Sequence, residues 1–148
     1  MTASADDYTR QVHISVPPER VFDALTTASE FAPWWAPAAG LAAEGGELRV
    51  TFAGFDDPLV LRVKQAARPS VVSWDVEDGG PLPEWLGTTV TFTLSESGTG
   101  GCDVRFRHHG LTPQLKCYDV CRANWDQYLP SLRDYIESGT GNPYRGPR

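Results

Sequence analysis

The chain has 148 residues, 41% apolar and 22% charged, a globular composition at the scale of one domain that needs no metal or disulfide scaffold. Lys and Arg total 13 against 19 Asp and Glu, and the resulting net charge of −6 disfavours non-specific binding to nucleic acid or to an anionic membrane. No apolar run approaches the ~18–20 residues of a transmembrane helix. The polar, acidic start from Met1 to Asp7 lacks the basic flank and apolar core of a signal peptide, and an odd count of 3 Cys points to a reducing cytoplasm.

Tyr8 to Val16 alternates, with Val12, Ile14 and Val16 on one face, which predicts a half-buried strand. Pro17-Pro18-Glu19 ends it and suits the first turn of a helix over 18–27, where Val21, Phe22 and Leu25 share a face. Ser29 is placed to cap a second short helix containing Phe31, ahead of Pro33-Trp34-Trp35. Five further strands are expected over 47–53, 59–66, 70–77, 88–95 and 101–109, each alternating and separated by short turns. The last carries Cys102, Val104, Phe106 and His108 on its apolar face.

From Gln114 to Ser138, Tyr118, Cys121, Trp125, Tyr128, Leu129, Leu132 and Ile136 recur at helical spacing, and Gly139 follows as a C-cap. Pro130 falls within this helix and is expected to bend it without breaking it. The expectation is an α+β fold: a curved six-stranded antiparallel sheet around a long C-terminal helix, with two short helices after the first strand. A sheet and a cylinder differ in curvature, so a gap is expected between them.

The run Val12-x-Ile14-x-Val16-Pro17-Pro18-Glu19-x-Val21-Phe22-x-Ala24-Leu25-Thr26 carries a resemblance to a known family. So do Phe31 to Trp35, Gly45-Gly46, Ser73-Trp74, Val104-x-Phe106-x-His108-x-Gly110-Leu111 and Trp125-x-x-Tyr128-Leu129-x-x-Leu132. In this order they resemble the SRPBCC superfamily, the START-like or birch-pollen-allergen-like helix-grip fold. The branch looks like the activator of heat-shock protein 90 ATPase homologues. The resemblance spans about residues 8–141 as a single domain, leaving 1–7 and 142–148 as tails, and implies a helix-grip fold. Members bind lipids, hormones or polyketides, cyclise polyketides, sequester antibiotics or assist a chaperone, so the fold does not select among these activities.

The expected function is binding of a small hydrophobic or aromatic ligand between sheet and helix. The candidate contacts are Trp35, Trp74, Trp85, Phe92, Phe106, His108, Tyr118, Cys121, Trp125 and Tyr128. Tryptophans supply flat walls and N–H donors, and each indole N–H needs a partner when buried. Strand parity turns His108 inward, where it is either a ligand contact or a core-edge imidazole satisfied by protein. A cyclase-like enzyme using His108 with Tyr118 or Tyr128, and a chaperone-regulating interaction domain, are the alternatives. No nucleophile elbow, phosphate-cradling glycine loop or paired inward carboxylates appear, so no catalytic residue is assigned. Cys102, Cys117 and Cys121 lack zinc-site spacing, and neither metal nor cofactor is expected. The tip Pro81-Leu82-Pro83-Glu84-Trp85-Leu86 reads as an edge cover, a cavity lid or a homodimer contact.

Overall fold

The computed structural model describes residues 7–146. Strand β1 (Tyr8–Ile14) leads into helix α1 (Pro18–Leu25), with Pro18 at the first helical position, where its missing N–H costs nothing. A 3₁₀ turn over Ala28–Glu30 follows. Then come β2 (Ala38–Gly40), β3 (Glu47–Val50), β4 (Leu59–Ala67), β5 (Val71–Asp78), β6 (Thr89–Glu96), β7 (Cys102–His109) and α2 (Tyr118–Ser138). The strands form one antiparallel sheet of 7, in the order β1-β7-β6-β5-β4-β3-β2.

Three expectations need correction. The sheet has 7 strands rather than six, because Ala38–Gly40 pairs with Leu48 to Val50. That strand is three residues of Ala-Ala-Gly, too short and too small to show alternation. Ser29 does not cap the second helical segment; it lies inside the 3₁₀ turn, whose N-cap position is Thr27. The long helix starts at Tyr118, not at Gln114. Its N-cap residue, Cys117, makes no side-chain cap, and the backbone N–H groups of Cys117 and of Lys116 just ahead of the helix are held from another element. Glu84, in the 3₁₀ turn Pro83–Trp85 of the β5–β6 connection, accepts from the backbone N–H of Cys117 at 2.7 Å and of Lys116 at 3.2 Å. These two backbone bonds hold the Glu84 carboxyl below its ordinary value.

The helix runs through Pro130 unbroken and ends as expected, with Gly139 left-handed at φ 87° and its N–H on the Tyr135 carbonyl at 2.8 Å. Its Cys121, Trp125, Tyr128, Leu129 and Leu132 face is buried against the sheet's inner side, where Leu48, Leu61, Trp74, Phe92 and Phe106 project. Pairing across β6 and β7 sets that side: Val90 opposes His108, Phe92 opposes Phe106 and Leu94 opposes Val104. On the other side of the same strands, Thr91 opposes Arg107 and Thr93 opposes Arg105. The packed body extends beyond the core of elements. Asp7 is buried, and Asn142 to Gly146 fold back over the helix. Among the described residues no helix is long and apolar enough to cross a membrane.

Candidate functional site

Between sheet and helix the space is occupied by stacked rings. Trp35 lies at the centre, 5.9 Å and 11° from Trp74 and 5.4 Å from Trp125, with Trp34 at 5.6 Å on another side. Trp125 stacks on Trp85 at 5.6 Å and 13° and meets Phe106 at 4.5 Å. Phe92 joins Trp74 and Phe106 edge-on at 5.2 and 5.1 Å. Such pairs add about 0.5–1.5 kcal/mol each beyond area burial. Trp85 enters the stack from the loop that follows β5, whereas its neighbour Leu86 is left 62% exposed.

His108 is fully buried at the end of this stack, and protein groups occupy both of its nitrogens. Trp125 Nε1 donates to Nδ1 at 3.1 Å, and Thr88 Oγ1 sits 2.8 Å from Nε2. Indole N–H is only a donor, so Nδ1 must accept and the neutral ring carries its proton on Nε2. Thr88 Oγ1 then accepts from Nε2 and passes its own hydrogen to the Trp85 carbonyl at 2.6 Å. Burial drives the His108 pKa from 6.5 to about 3, so the ring is neutral at physiological pH. Trp85 Nε1 ends in a second bond, to Cys121 Sγ at 3.1 Å. Trp34 and Trp74, by contrast, bury Nε1 with no hydrogen-bond partner among the described residues.

Cys102 and Cys121 are buried, and Cys117 lies half-buried beside Cys121. Burial pushes Cys102 up to about 11 and Cys117 up to about 12, and it raises Cys121 as well. Among the described residues no group of three or more His, Cys, Asp or Glu is arranged to hold a metal ion.

A cleft of about 550 Å³ opens where α2 meets the β3–β4 and β5–β6 connections. Tyr128 and Val120 of α2 line it on one side, Phe52 and Phe55 on another, and Leu82 and Tyr144 complete the apolar wall. Tyr144 is held by its N–H on the Trp35 carbonyl at 2.8 Å, its hydroxyl on the Ala53 carbonyl at 2.9 Å and its ring edge-on to Phe52 at 5.2 Å. Polar groups are few: Asn124, Gln127 and Arg145. Tyr128 ties this cleft to the ring stack, 6.5 Å from Trp35 and 6.4 Å from Trp125.

The structure therefore brings Trp35, Trp74, Trp85, Phe92, Phe106, His108, Cys121 and Trp125 together as one buried body. Tyr128 is the candidate that also reaches the cleft, and Tyr118 lies half-buried at the start of α2. Sequence reasoning missed Phe55, Val120 and Tyr144. Phe55 is an aromatic in a Gly-Pro turn and is 47% exposed, a signal that was legible; Val120 is off the periodic face and Tyr144 lies in an unpatterned tail.

The model of the family described as Activator of Hsp90 ATPase homolog 1-like protein matches residues 15–137. No curated protein matches the chain. Among solved structures, the chain is similar to one described as the Aha1 dimer from Colwellia psychrerythraea, with 26% identity, TM-score 0.78, and 91% of this chain and 98% of that one covered. A Mesorhizobium loti protein shares 25% identity at TM-score 0.73, covering 88% and 96%. A Staphylococcus saprophyticus protein at 18% identity has TM-score 0.75 and covers 95% and 97%, a likeness of fold alone.

Proposed function

The chain belongs to the Activator of Hsp90 ATPase homolog 1-like family, and on that footing we propose that it binds a small, largely apolar or aromatic molecule. The molecule enters the cleft between α2 and the β3–β4 connection. The observation that carries this reading is the cleft wall: Phe52, Phe55, Leu82, Val120, Tyr128 and Tyr144 line a half-open space of about 550 Å³ alongside the polar Asn124, Gln127 and Arg145. That size and lining suit a small ligand held by apolar contact and oriented by one or two hydrogen bonds. The ring stack behind Tyr128 serves as a rigid back wall, with Trp35, Trp125 and their partners fixing its position.

A fluorescent naphthalene sulfonate is the probe that tests this. Ala123 lines the cleft from an exposed position on α2, so Ala123→Trp fills the space without touching the core. The expected result is saturable probe binding by the natural chain, weakened about tenfold or more in Ala123→Trp, with melting unchanged. Probe affinity that is absent or indifferent to Ala123→Trp overturns the proposal.

A second reading rests on exposure. Val120 at 63% and Phe55 at 47% leave the cleft rim apolar towards solvent, and such patches mark protein contacts. A homodimer through this rim is the form it takes, in line with the dimer described for the Colwellia relative. Sedimentation of the natural chain beside Val120→Arg distinguishes it, since only a rim dimer dissociates on that change.

A further inference from the structure

The outer side of the sheet, opposite α2, carries a second and chemically different depression. It has a volume of about 950 Å³ and crosses the strands from β1 to β4. Its floor is hydroxyl and amide: Thr89, Thr91 and Thr93 from β6, with Ser73, Gln11 and Gln65 beside them. Every charged side chain that lines it is basic or is a histidine, namely Arg10, Lys64, Arg105, Arg107 and His109. This happens on a chain of net charge −6.

The nearby carboxylates offset only part of this excess, because Asp7 and Asp126 pair with groove cations and the others are engaged elsewhere. Asp75 accepts from Thr89 at 2.8 Å, Glu77 pairs with Arg62 at 3.3 Å, and Asp103 meets His13 at 3.0 Å. Asp7 is buried beneath Arg107 and His109, at 2.6 and 2.9 Å. Arg10 is turned to Asp126 at 3.0 Å. Lys64 and Arg105 are both exposed and have neither ion pair nor hydrogen bond among the described residues.

Gln65 owes its direction to a break in register. Val63 opposes Trp74 and Gln65 opposes Ser73, so Lys64 is the extra residue of a bulge in β4. Without it Gln65 would point to the core; with it, Lys64 and Gln65 both line the groove. The bulge thus adds an amide beside Lys64 at one end of the groove, while Arg105 of β7 stands unpaired at the other.

We propose that this groove is a docking surface for an acidic, extended segment of a partner protein. β4 and β7 are separated by β5 and β6, three strand spacings or roughly 14 Å, which is about four residues of extended chain. A single small anion cannot reach both ends. A segment with carboxylates at its two ends can, while its backbone meets the threonine hydroxyls and glutamine amides between. Nucleic acid is disfavoured, since beyond the groove its long phosphate array would face a chain that is acidic overall. This surface lies on the opposite side of the sheet from the apolar cleft, so the two proposals stand or fall separately.

The test uses a fluorescein-labelled peptide of alternating glutamate and serine, titrated into the full chain by anisotropy. The variant is Lys64→Glu combined with Arg105→Glu, both exposed and unpaired, with Arg107 left in place because it holds Asp7. The expected result is saturable binding that falls about tenfold or more in the double variant, and likewise when salt rises from about 0.05 M to about 0.5 M. A lysine-for-glutamate peptide should not bind. Equal affinity of the natural chain and the double variant overturns the proposal. So does displacement by millimolar inorganic phosphate alone, which would make it a single-anion site, and so does preference for a single-stranded oligonucleotide or phosphatidylserine vesicles over the peptide.

Discussion

Trp125 donates its indole N–H to His108 at 3.1 Å, and this bond couples the long helix to the last strand through two fully buried rings. It consumes the Nδ1 lone pair, Thr88 consumes Nε2, and His108 becomes a joint between three elements. Replacing it with Ala leaves the Trp125 donor and the Thr88 hydroxyl without their partner inside an apolar stack. His108→Ala should cost about 2–4 kcal/mol, the sum of an unsatisfied donor and a cavity. Urea unfolding measures this, and a loss below about 0.5 kcal/mol would mean the pair is not formed.

The same burial makes stability depend on pH in a window set by histidine. The folded ring titrates near 3 and the unfolded one near 6.5, so the unfolded state binds the proton first. The contribution is therefore whole above pH 6.5 and drains away as pH falls towards 3, by up to about 1.4 kcal/mol per unit. Asp7 and Glu30 act oppositely placed on the scale. Burial works to raise both carboxyls, but hydrogen bonds from Gly110, Arg107 and His109 to Asp7, and from Arg20 and Tyr135 to Glu30, outweigh it. Their stabilisation is intact above the ordinary values of 3.8 and 4.5 and is lost only below them. Chemical melts between pH 7 and 5 should show a falling stability that His108→Gln abolishes. A flat profile in the natural chain would contradict a neutral buried ring.

Two tryptophans in one stack should answer the same substitution differently. Trp125→Phe removes the donor that His108 accepts and leaves the imidazole lone pair bare. Trp74 Nε1 has no partner among the described residues, so Trp74→Phe removes an unsatisfied buried donor along with some volume. Both lose ring area, but Trp125→Phe should be the costlier by about 1–2 kcal/mol. Trp125→Ala should cost about 3–5 kcal/mol, as for any large core aromatic. Equal losses for the two Phe variants would mean that Trp74 is bonded after all.

How much of this was visible in the sequence varies with the kind of signal. Alternation in Thr89–Glu96 and Cys102–His109 placed Phe92, Phe106 and His108 inward, and helical spacing placed Trp125 and Tyr128 against them. Those are periodic patterns, and burial enforces them. What His108 would meet was beyond reach, because Thr88 and Trp125 come to it from separate elements. Periodicity also says nothing about residues outside elements, so Trp85 folding inward, Tyr144 lying on Phe52 and Glu84 capping α2 are tertiary facts. The outer groove was hidden for a further reason. Gln65 lies on the outer side only because the bulge at Lys64 reverses strand parity, and alternation assumes no bulge.

Three free cysteines should differ little in one respect: none is a ready thiolate. Cys102 and Cys121 are buried, and the half-buried Cys117 is pushed up to about 12 by desolvation and by Cys121 and Glu84 close by. At pH 8 a disulfide reagent should label the native chain slowly, and all three should react at once in denaturant. Fast labelling of one native thiol would show a local environment quite unlike the one described.

The C-terminal strap offers a test in which a single methyl group matters. Ser131 of α2 donates to the Trp34 carbonyl at 2.8 Å and accepts from the Asn142 N–H at 2.6 Å, clamping the strap to the loop that carries the paired tryptophans. Gly141 passes so close to this clamp that an added Cβ would lie 2.6 Å from the Pro33 carbonyl oxygen and 2.8 Å from Ser131 Oγ. Neither can yield, since one is backbone and the other is bonded on both sides. Gly141→Ala should therefore cost about 1–3 kcal/mol and loosen Tyr144 from the cleft wall, weakening the naphthalene probe in parallel. Gly98 is the control, because a Cβ there meets nothing within 4 Å and its turn is remote from the strap. If Gly141→Ala melts and binds like Gly98→Ala, the strap does not form the cleft wall.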